Sequence, residues 1–199
     1  PSAFGVIKLD EKNIITDFVE KPVTFVSDLA IIGIYYFNDG EYLRNELQYL
    51  LDNNIKDRGE FQLTNALENM KNKGAKFSPG KVKEWLDCGN KDATVYTNKQ
   101  LLKYTGNNIS NTSEIKKSKL IEPCFIGAKT IIKNATIGPY VSIGSNTKIE
   151  NSIINNTIIQ SNSTLKNLNL TNSMVGNFVQ IDGSNLKKEV SIGDYTEIK

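Results

Sequence analysis

With 199 residues, 39% of them hydrophobic and 23% charged, the chain has the composition of an ordinary globular protein of one large or two small domains. Its formal net charge of +2 excludes the strong field on which nucleic-acid and membrane-surface binders draw, and no apolar run is long enough to span a bilayer. There is no histidine, which removes the commonest general base and metal ligand.

No basic segment followed by an apolar one resembles a signal peptide. Two cysteines, Cys88 and Cys124, cannot make a disulfide framework. Both are expected reduced in apolar surroundings, as in the cytoplasm. A first residue of Pro1 rather than Met suggests a processed chain or a fragment.

Residues 4–9 and 14–20 read as two strands of a hairpin around the polar turn 10–13. Pro22 ends the second strand, because it cannot donate to a ladder. The apolar run 29–37 predicts a strand covered on both faces, with Gly33 marking a close approach to its backbone. Asn38 with Glu41 gives a capping-box start to a first helix, whose stripe is Leu43, Leu47, Leu50 and Leu51. After Gly59-Glu60 a second helix carries Leu63, Ala66, Leu67 and Met70 and ends near Gly74. Segments 75–78 and 82–86 read as strands. Asn90 opens a third helix, to about Tyr104, with Leu101 and Leu102 on its buried side. The polar stretch 106–118 is expected as a linker.

From Cys124 to Ile181 a single pattern recurs. Ile, Leu or Val stands at 126, 132, 137, 143, 149, 154, 159, 165, 170, 175 and 181, in steps of five or six. Two positions before each stands a second inward residue, small or β-branched except at Leu168. Period two within each unit means a short strand, and a return every five or six residues means a corner after it. Gly127, Gly138, Gly144 and Gly176 fall where corners are needed. Hexapeptide periodicity is the signature of a parallel β-helix. Three strands per triangular coil give between three and four coils over this stretch, and 183–199 loosens the pattern, with a further corner at Ile192-Gly193.

Candidate chemistry lies at strand ends in the first hundred residues. Glu20 and Lys21 are adjacent at a strand exit, where the turn at Pro22 can aim both into one cleft. The carboxylate could accept sugar hydroxyls and the ammonium could meet a phosphate; a solvated surface pair is the plain alternative. Asp87, after Trp85-Leu86 and before Cys88-Gly89, suits Mg²⁺, or equally an Asx turn or a helix cap. Gly5 and Gly33 could admit a ligand to the main chain, or relieve packing.

Five motifs occur in order: Phe4-Gly5-Val6, Glu20-Lys21-Pro22, Ile32-Gly33-Ile34-Tyr35, Gly59-Glu60-Phe61-Gln62-Leu63-Thr64 and Trp85-Leu86-Asp87-Cys88-Gly89. Together they resemble the second half of a sugar-1-phosphate nucleotidyltransferase. The long form of glucose-1-phosphate thymidylyltransferase is most similar, since it carries a C-terminal left-handed β-helix. The resemblance implies an α/β, Rossmann-like partial nucleotidyltransferase domain at 1–105, the linker at 106–118 and a left-handed β-helix at 119–199. It implies that Glu20 binds sugar hydroxyls and Lys21 the phosphate. Gly5, Ile31 and Gly33 would line the sugar pocket with Tyr35 nearby, and Asp87 would be one of two aspartates on Mg²⁺. Lys21 and Asp87 would then be the catalytic pair, in a reaction that turns sugar 1-phosphate and nucleoside triphosphate into nucleotide sugar and pyrophosphate.

The sequence departs from that family in lacking a Gly-rich, Arg- and Lys-bearing triphosphate loop; before Gly33 the only glycine is Gly5. The second aspartate is missing as well, and Asn65 stands where relatives often have Asp. The expectation is a chain lacking the nucleotide-binding half, engaging nucleoside triphosphate only with that half and inactive alone. Two rival readings are a hexapeptide-repeat acyltransferase, which the missing histidine disfavours, and a non-catalytic oligomerisation or regulatory module. Flat β-helix faces lead us to expect a homo-oligomer, a trimer or a higher state.

Overall fold

The computed structural model describes residues 4–183 and 188–198. The chain divides into two compact units, Pro1–Trp85 and Leu86–Lys199.

In the first unit β1 (Val6–Leu9) and β2 (Ile15–Val19) form the expected antiparallel hairpin. Its turn is held by Asp10, whose Oδ1 accepts from the backbone N–H groups of Lys12 and Ile14, both at 2.8 Å. Helix α1 (Gly40–Asp52) is capped by Asp39, which accepts from Tyr42 N, rather than by Asn38. The cap sits one residue later because Asp39 is the last extended residue. Of the expected stripe only Leu50 is fully buried, and Glu46 takes an inward position in place of Leu47 and Leu51. Helix α2 (Leu63–Asn72) buries Thr64, Ala66, Leu67 and Met70.

Three expected strands are not formed. Residues 29–37 contribute a single bridge, Val6 to Ala30, with Ile7 N donating to Leu29 O and Ile31 N to Gly5 O. Instead of being covered on both faces the run is open, with Ile34 77% and Tyr36 87% exposed. A run this apolar pairs as a central strand only with a neighbour on each edge, and among the described residues it has β1 alone. Segments 75–78 and 82–86 carry no ladder; Phe77 O accepts from Ile15 N, and that is one bond rather than a strand.

The second unit opens with α3 (Lys91–Thr105), capped by Asn90 Oδ1 on Ala93 N as expected. Leu102 is buried on it, whereas Leu101 is half exposed and Val95 takes the inward place. A parallel β-solenoid of about five turns follows, consistent with a left-handed β-helix. It starts earlier than expected: within 106–118 the strands Asn108–Ile109 and Glu114–Lys116 already pair with the next coil. Eleven strands lie between Cys124 and Asp182, the expected three to four coils, and the solenoid continues through Ser191–Ile192 and Glu197–Ile198. One six-stranded face runs from Asn108–Ile109 to Ser191–Ile192 and a second from Glu114–Lys116 to Glu197–Ile198; a four-stranded face runs from Lys119–Leu120 to Asn169–Leu170.

Both inward series are buried throughout, from Ile126 to Ile181 and from Cys124 to Val179. The inward hydroxyls are satisfied by main chain: Thr130, Thr147 and Ser163 donate to the carbonyls of Gly144, Gln160 and Gly176 in the next coil at 3.1, 3.1 and 2.9 Å. Cys124 lies in this core, where burial pushes its thiol up, while Cys88 is exposed, contrary to expectation. The corner glycines expected at 127, 138, 144 and 176 are all needed, because a Cβ at each would run into the backbone of a neighbouring coil. Gly144 is there because a Cβ would meet Ser161 N at 2.5 Å. Left-handed backbone falls on Gly138, with φ of 104°, and on asparagines such as Asn134, Asn151 and Asn167, with φ of 50°, 50° and 56°.

Helix α3 is fastened to the first six-stranded face. Asn98 accepts from Ser142 Oγ at 2.6 Å, and Lys91 Nζ donates to Asn172 O at 3.0 Å.

Candidate functional site

A hollow of about 270 Å³ opens in the first unit where β1, the exit of β2, residues 31–35 and the start of α2 converge. Gly5, Glu20, Ile31, Gly33 and Tyr35 all line it, drawn from separate stretches of sequence. Glu20 is held there by Thr64, whose Oγ1 donates to Glu20 Oε2 at 3.1 Å. Only 14% of the Glu20 side chain is exposed, so its remaining acceptor capacity is directed into the hollow. Space at Gly5 is tight: a Cβ would stand 3.0 Å from Glu20 Oε2 and 3.2 Å from both Ile31 and Thr64, so Glu20 would have to shift to admit one. Burial, and then the charge of Glu20, hold the Tyr35 phenol above its ordinary value, so it is a neutral O–H donor at physiological pH.

Lys21 does not line the hollow. Its φ of 39° turns the chain, and its ammonium stands 3.9 Å from Glu20 Oε1 with 44% of the side chain exposed. Beside it is Arg58, presented by a tight turn in which Asp57 and Glu60 exchange backbone hydrogen bonds. Arg58 Nη2 donates to Lys21 O at 2.8 Å. A carboxylate and a phenol inside the hollow, with the Lys21 ammonium beside the carboxylate and Arg58 on the Lys21 carbonyl, form a set that can take a polyhydroxy ring carrying an anionic group.

Residues 1–104 match the nucleotidyl transferase family. The chain belongs to this family. It is 26% identical to a glucose-1-phosphate thymidylyltransferase of Streptomyces antibioticus, over all of this chain and 60% of that protein. It is 28% identical to the bifunctional protein GlmU of Alkaliphilus oremlandii, over all of this chain and 48% of that one. A bifunctional sugar-1-phosphate nucleotidylyltransferase/acetyltransferase of Sulfurisphaera tokodaii is 32% identical over 61% of this chain and 30% of its own length. The chain spans about half the length of the first relatives it matches.

Asp87 belongs to the second unit. Its Oδ1 accepts from Gly89 N at 3.0 Å, an Asx turn, and its carbonyl accepts from Thr97 Oγ1 at 2.6 Å. Asp87 is a single carboxylate of the expected pair, and among the described residues no group of three or more His, Cys, Asp or Glu is gathered to hold a metal ion. These residues do not by themselves assemble the expected metal centre. No helix among the described residues is long and apolar enough to cross a membrane.

Sequence reasoning took the motif 59–64 as a family mark and missed its part in the site. Gln62, Leu63 and Thr64 line the hollow, and Thr64 bonds Glu20. A polar Thr at a helix start, on the buried face beside Leu67 and away from the cap position, was the available signal. Nothing local marks Arg58, which reaches Lys21 across 37 residues.

Proposed function

We propose that the hollow binds the sugar ring of a sugar 1-phosphate, and that the family's reaction here joins it to a nucleoside triphosphate with release of pyrophosphate. The substrates named for the relatives, glucose 1-phosphate among them, favour a hexose phosphate. The observation that carries the reading is Glu20. It is fixed by Thr64, faces a space of ring size, and has the Lys21 ammonium beside it, with Arg58 held on the Lys21 carbonyl. In this reading Glu20 accepts ring hydroxyls, Tyr35 contributes an O–H, and Lys21 and Arg58 hold the phosphate. Positioning the phosphate oxygen and balancing its charge are then the chain's contributions to the attack on the α-phosphorus. Asp87 is proposed as one carboxylate of a Mg²⁺ site completed by other residues, and the triphosphate cradle as lying in polypeptide that these 199 residues do not contain. Alone, the chain is then a sugar-phosphate binder without turnover. Nucleoside triphosphates and sugar phosphates are cytoplasmic metabolites, so the reading carries a cytoplasmic location with it.

Titration calorimetry of the chain with glucose 1-phosphate tests this. Binding is expected, with a loss of about tenfold or more in Glu20→Gln and in Gly5→Ala, the size of one charge-assisted hydrogen bond. Lys21→Met should weaken glucose 1-phosphate but leave the weak binding of glucose unchanged. Equal affinity in parent and Glu20→Gln would overturn the assignment.

A further inference from the structure

Strand β2 has β1 on one edge and no strand on the other among the described residues. Main-chain groups that a further strand would have taken up are taken up by α2 instead. Thr64, Glu68 and Lys71 are spaced i, i+4 and i+7, which puts them on one face of that helix. Lys71 Nζ donates to Thr16 O at 2.7 Å, Glu68 Oε2 accepts from Phe18 N at 3.1 Å, and Thr64 donates to the Glu20 carboxylate. We propose that Glu68 and Lys71 are positioning residues for Glu20: with Thr64 they form a row that fixes the end of β2 against α2 and keeps the Glu20 carboxylate turned into the hollow. The choice of ligand rests on the sugar-phosphate reading above; the clamp itself does not.

The two periods suit one another. The contacts climb β2 in two-residue steps, 16, 18 and 20, as they descend α2 through 71, 68 and 64. Alternate strand residues present their main-chain groups to the same edge, so Thr16 and Phe18 are met at the backbone. Four strand residues rise roughly 13 Å and seven helical ones roughly 10 Å, a difference the long lysine stem spans. Glu68 and Lys71 are also paired with each other and are partly buried, so the acceptor at Phe18 and the donor at Thr16 hold one another in place.

Glu20 needs this support because of where it stands. The ladder with β1 stops at Val19, and the chain turns at Lys21. Beyond the ladder the Glu20 carboxylate is oriented by Thr64, and Thr64 can do this only while α2 keeps its register along β2. Neither Glu68 nor Lys71 lines the hollow, so replacing them removes no group from its walls. Their effect on a ligand there must pass through Glu20.

Two readings on the full chain test this: calorimetry with glucose 1-phosphate, and the phenolate absorbance of Tyr35, taken as the difference from the same chain carrying Tyr35→Phe. In Glu68→Leu the sugar phosphate should bind about threefold to fivefold more weakly, a smaller loss than in Glu20→Gln. The Tyr35 phenol should ionise at lower pH than in the parent, because the carboxylate opposing its ionisation has moved away. Lys71→Met should shift both readings in the same directions, and it carries the test alone if Glu68→Leu does not fold. Glu68→Gln keeps an acceptor for Phe18 N and should hold both readings near the parent. Lys73→Met, which breaks the contact of α2 with Glu46 of α1, should lower stability and move neither. Added to Glu20→Gln, Glu68→Leu should leave the Tyr35 titration where Glu20→Gln alone put it. If glucose 1-phosphate does not bind even the parent, the sugar-phosphate reading falls, while the Tyr35 titration still decides the clamp. Parent values of either reading in Glu68→Leu or Lys71→Met, an equal shift in Lys73→Met, or a further shift of Tyr35 in the Glu20→Gln chain would each overturn the proposal.

Discussion

At the scale of the residue, the hollow is governed by the carboxylate of Glu20 and the groups that respond to it. Tyr35 is the sensitive one, because burial and then the charge of Glu20 raise its phenol above the ordinary value of 10.0. Phenolate absorbance, taken as the difference between parent and Tyr35→Phe, should appear at higher pH than that of an exposed tyrosine. In Glu20→Gln the titration should move back part of the way and no further, since burial, the larger cause, is untouched. A full return to ordinary behaviour would mean that the phenol is not buried against the hollow. Glu20, Gly5 and Tyr35 were legible in the sequence because strand ends and short motifs carry their own marks. Thr64 and Arg58 were less so, because their roles arise only when residues 37 and 44 apart in the chain are folded together.

Among the elements, the pair α1 and α2 shows what periodicity can and cannot tell. Leucine spacing found α1, but Glu46 replaced two of those leucines on its inner side, where Lys73 meets it at 2.6 Å. Glu46 Oε1 is engaged and its buried Oε2 has no partner among the described residues. Removing the ammonium in Lys73→Met therefore leaves a nearly buried carboxylate with neither oxygen answered, and the melting temperature should fall. Adding Glu46→Leu should return most of the loss, and a Lys73→Met chain as stable as the parent would refute the pairing. The bond to Glu46 is the main cause that raises the Lys73 ammonium above 10.5. Its contribution to stability is thus complete below the unfolded lysine value, near 10.4, and is lost as pH rises through the higher folded value. Run 29–37 failed as a predicted strand for a different reason. Apolarity shows what a segment would bury, whereas burial depends on neighbours, and the described residues supply one edge only.

For the whole molecule, the solenoid was the part most fully written in the sequence, since each coil repeats one rule and errors cannot accumulate. Ile153 and Ile154 share a strand yet are 53% and 0% exposed. Ile154→Ala should cost about 2–5 kcal/mol in urea unfolding, and Ile153→Ala within about 0.5 kcal/mol. Similar losses at both would contradict the alternation. Less legible were the corners, because asparagine signals turns of many kinds and only its recurrence every 16 or 17 residues marks a column. Those columns have a polarity. Asn134 donates to Asn151, Asn151 to Asn167, and Asn167 to Asp182; Asn156 donates to Asn172 and Asn172 to Glu189; Asn177 donates to Asp194. Each of these chains of amides finishes on an oxygen that can only accept. Each of these columns therefore ends on a side chain with no hydrogen to offer a further coil, and exchanging the acids for amides would restore that donor.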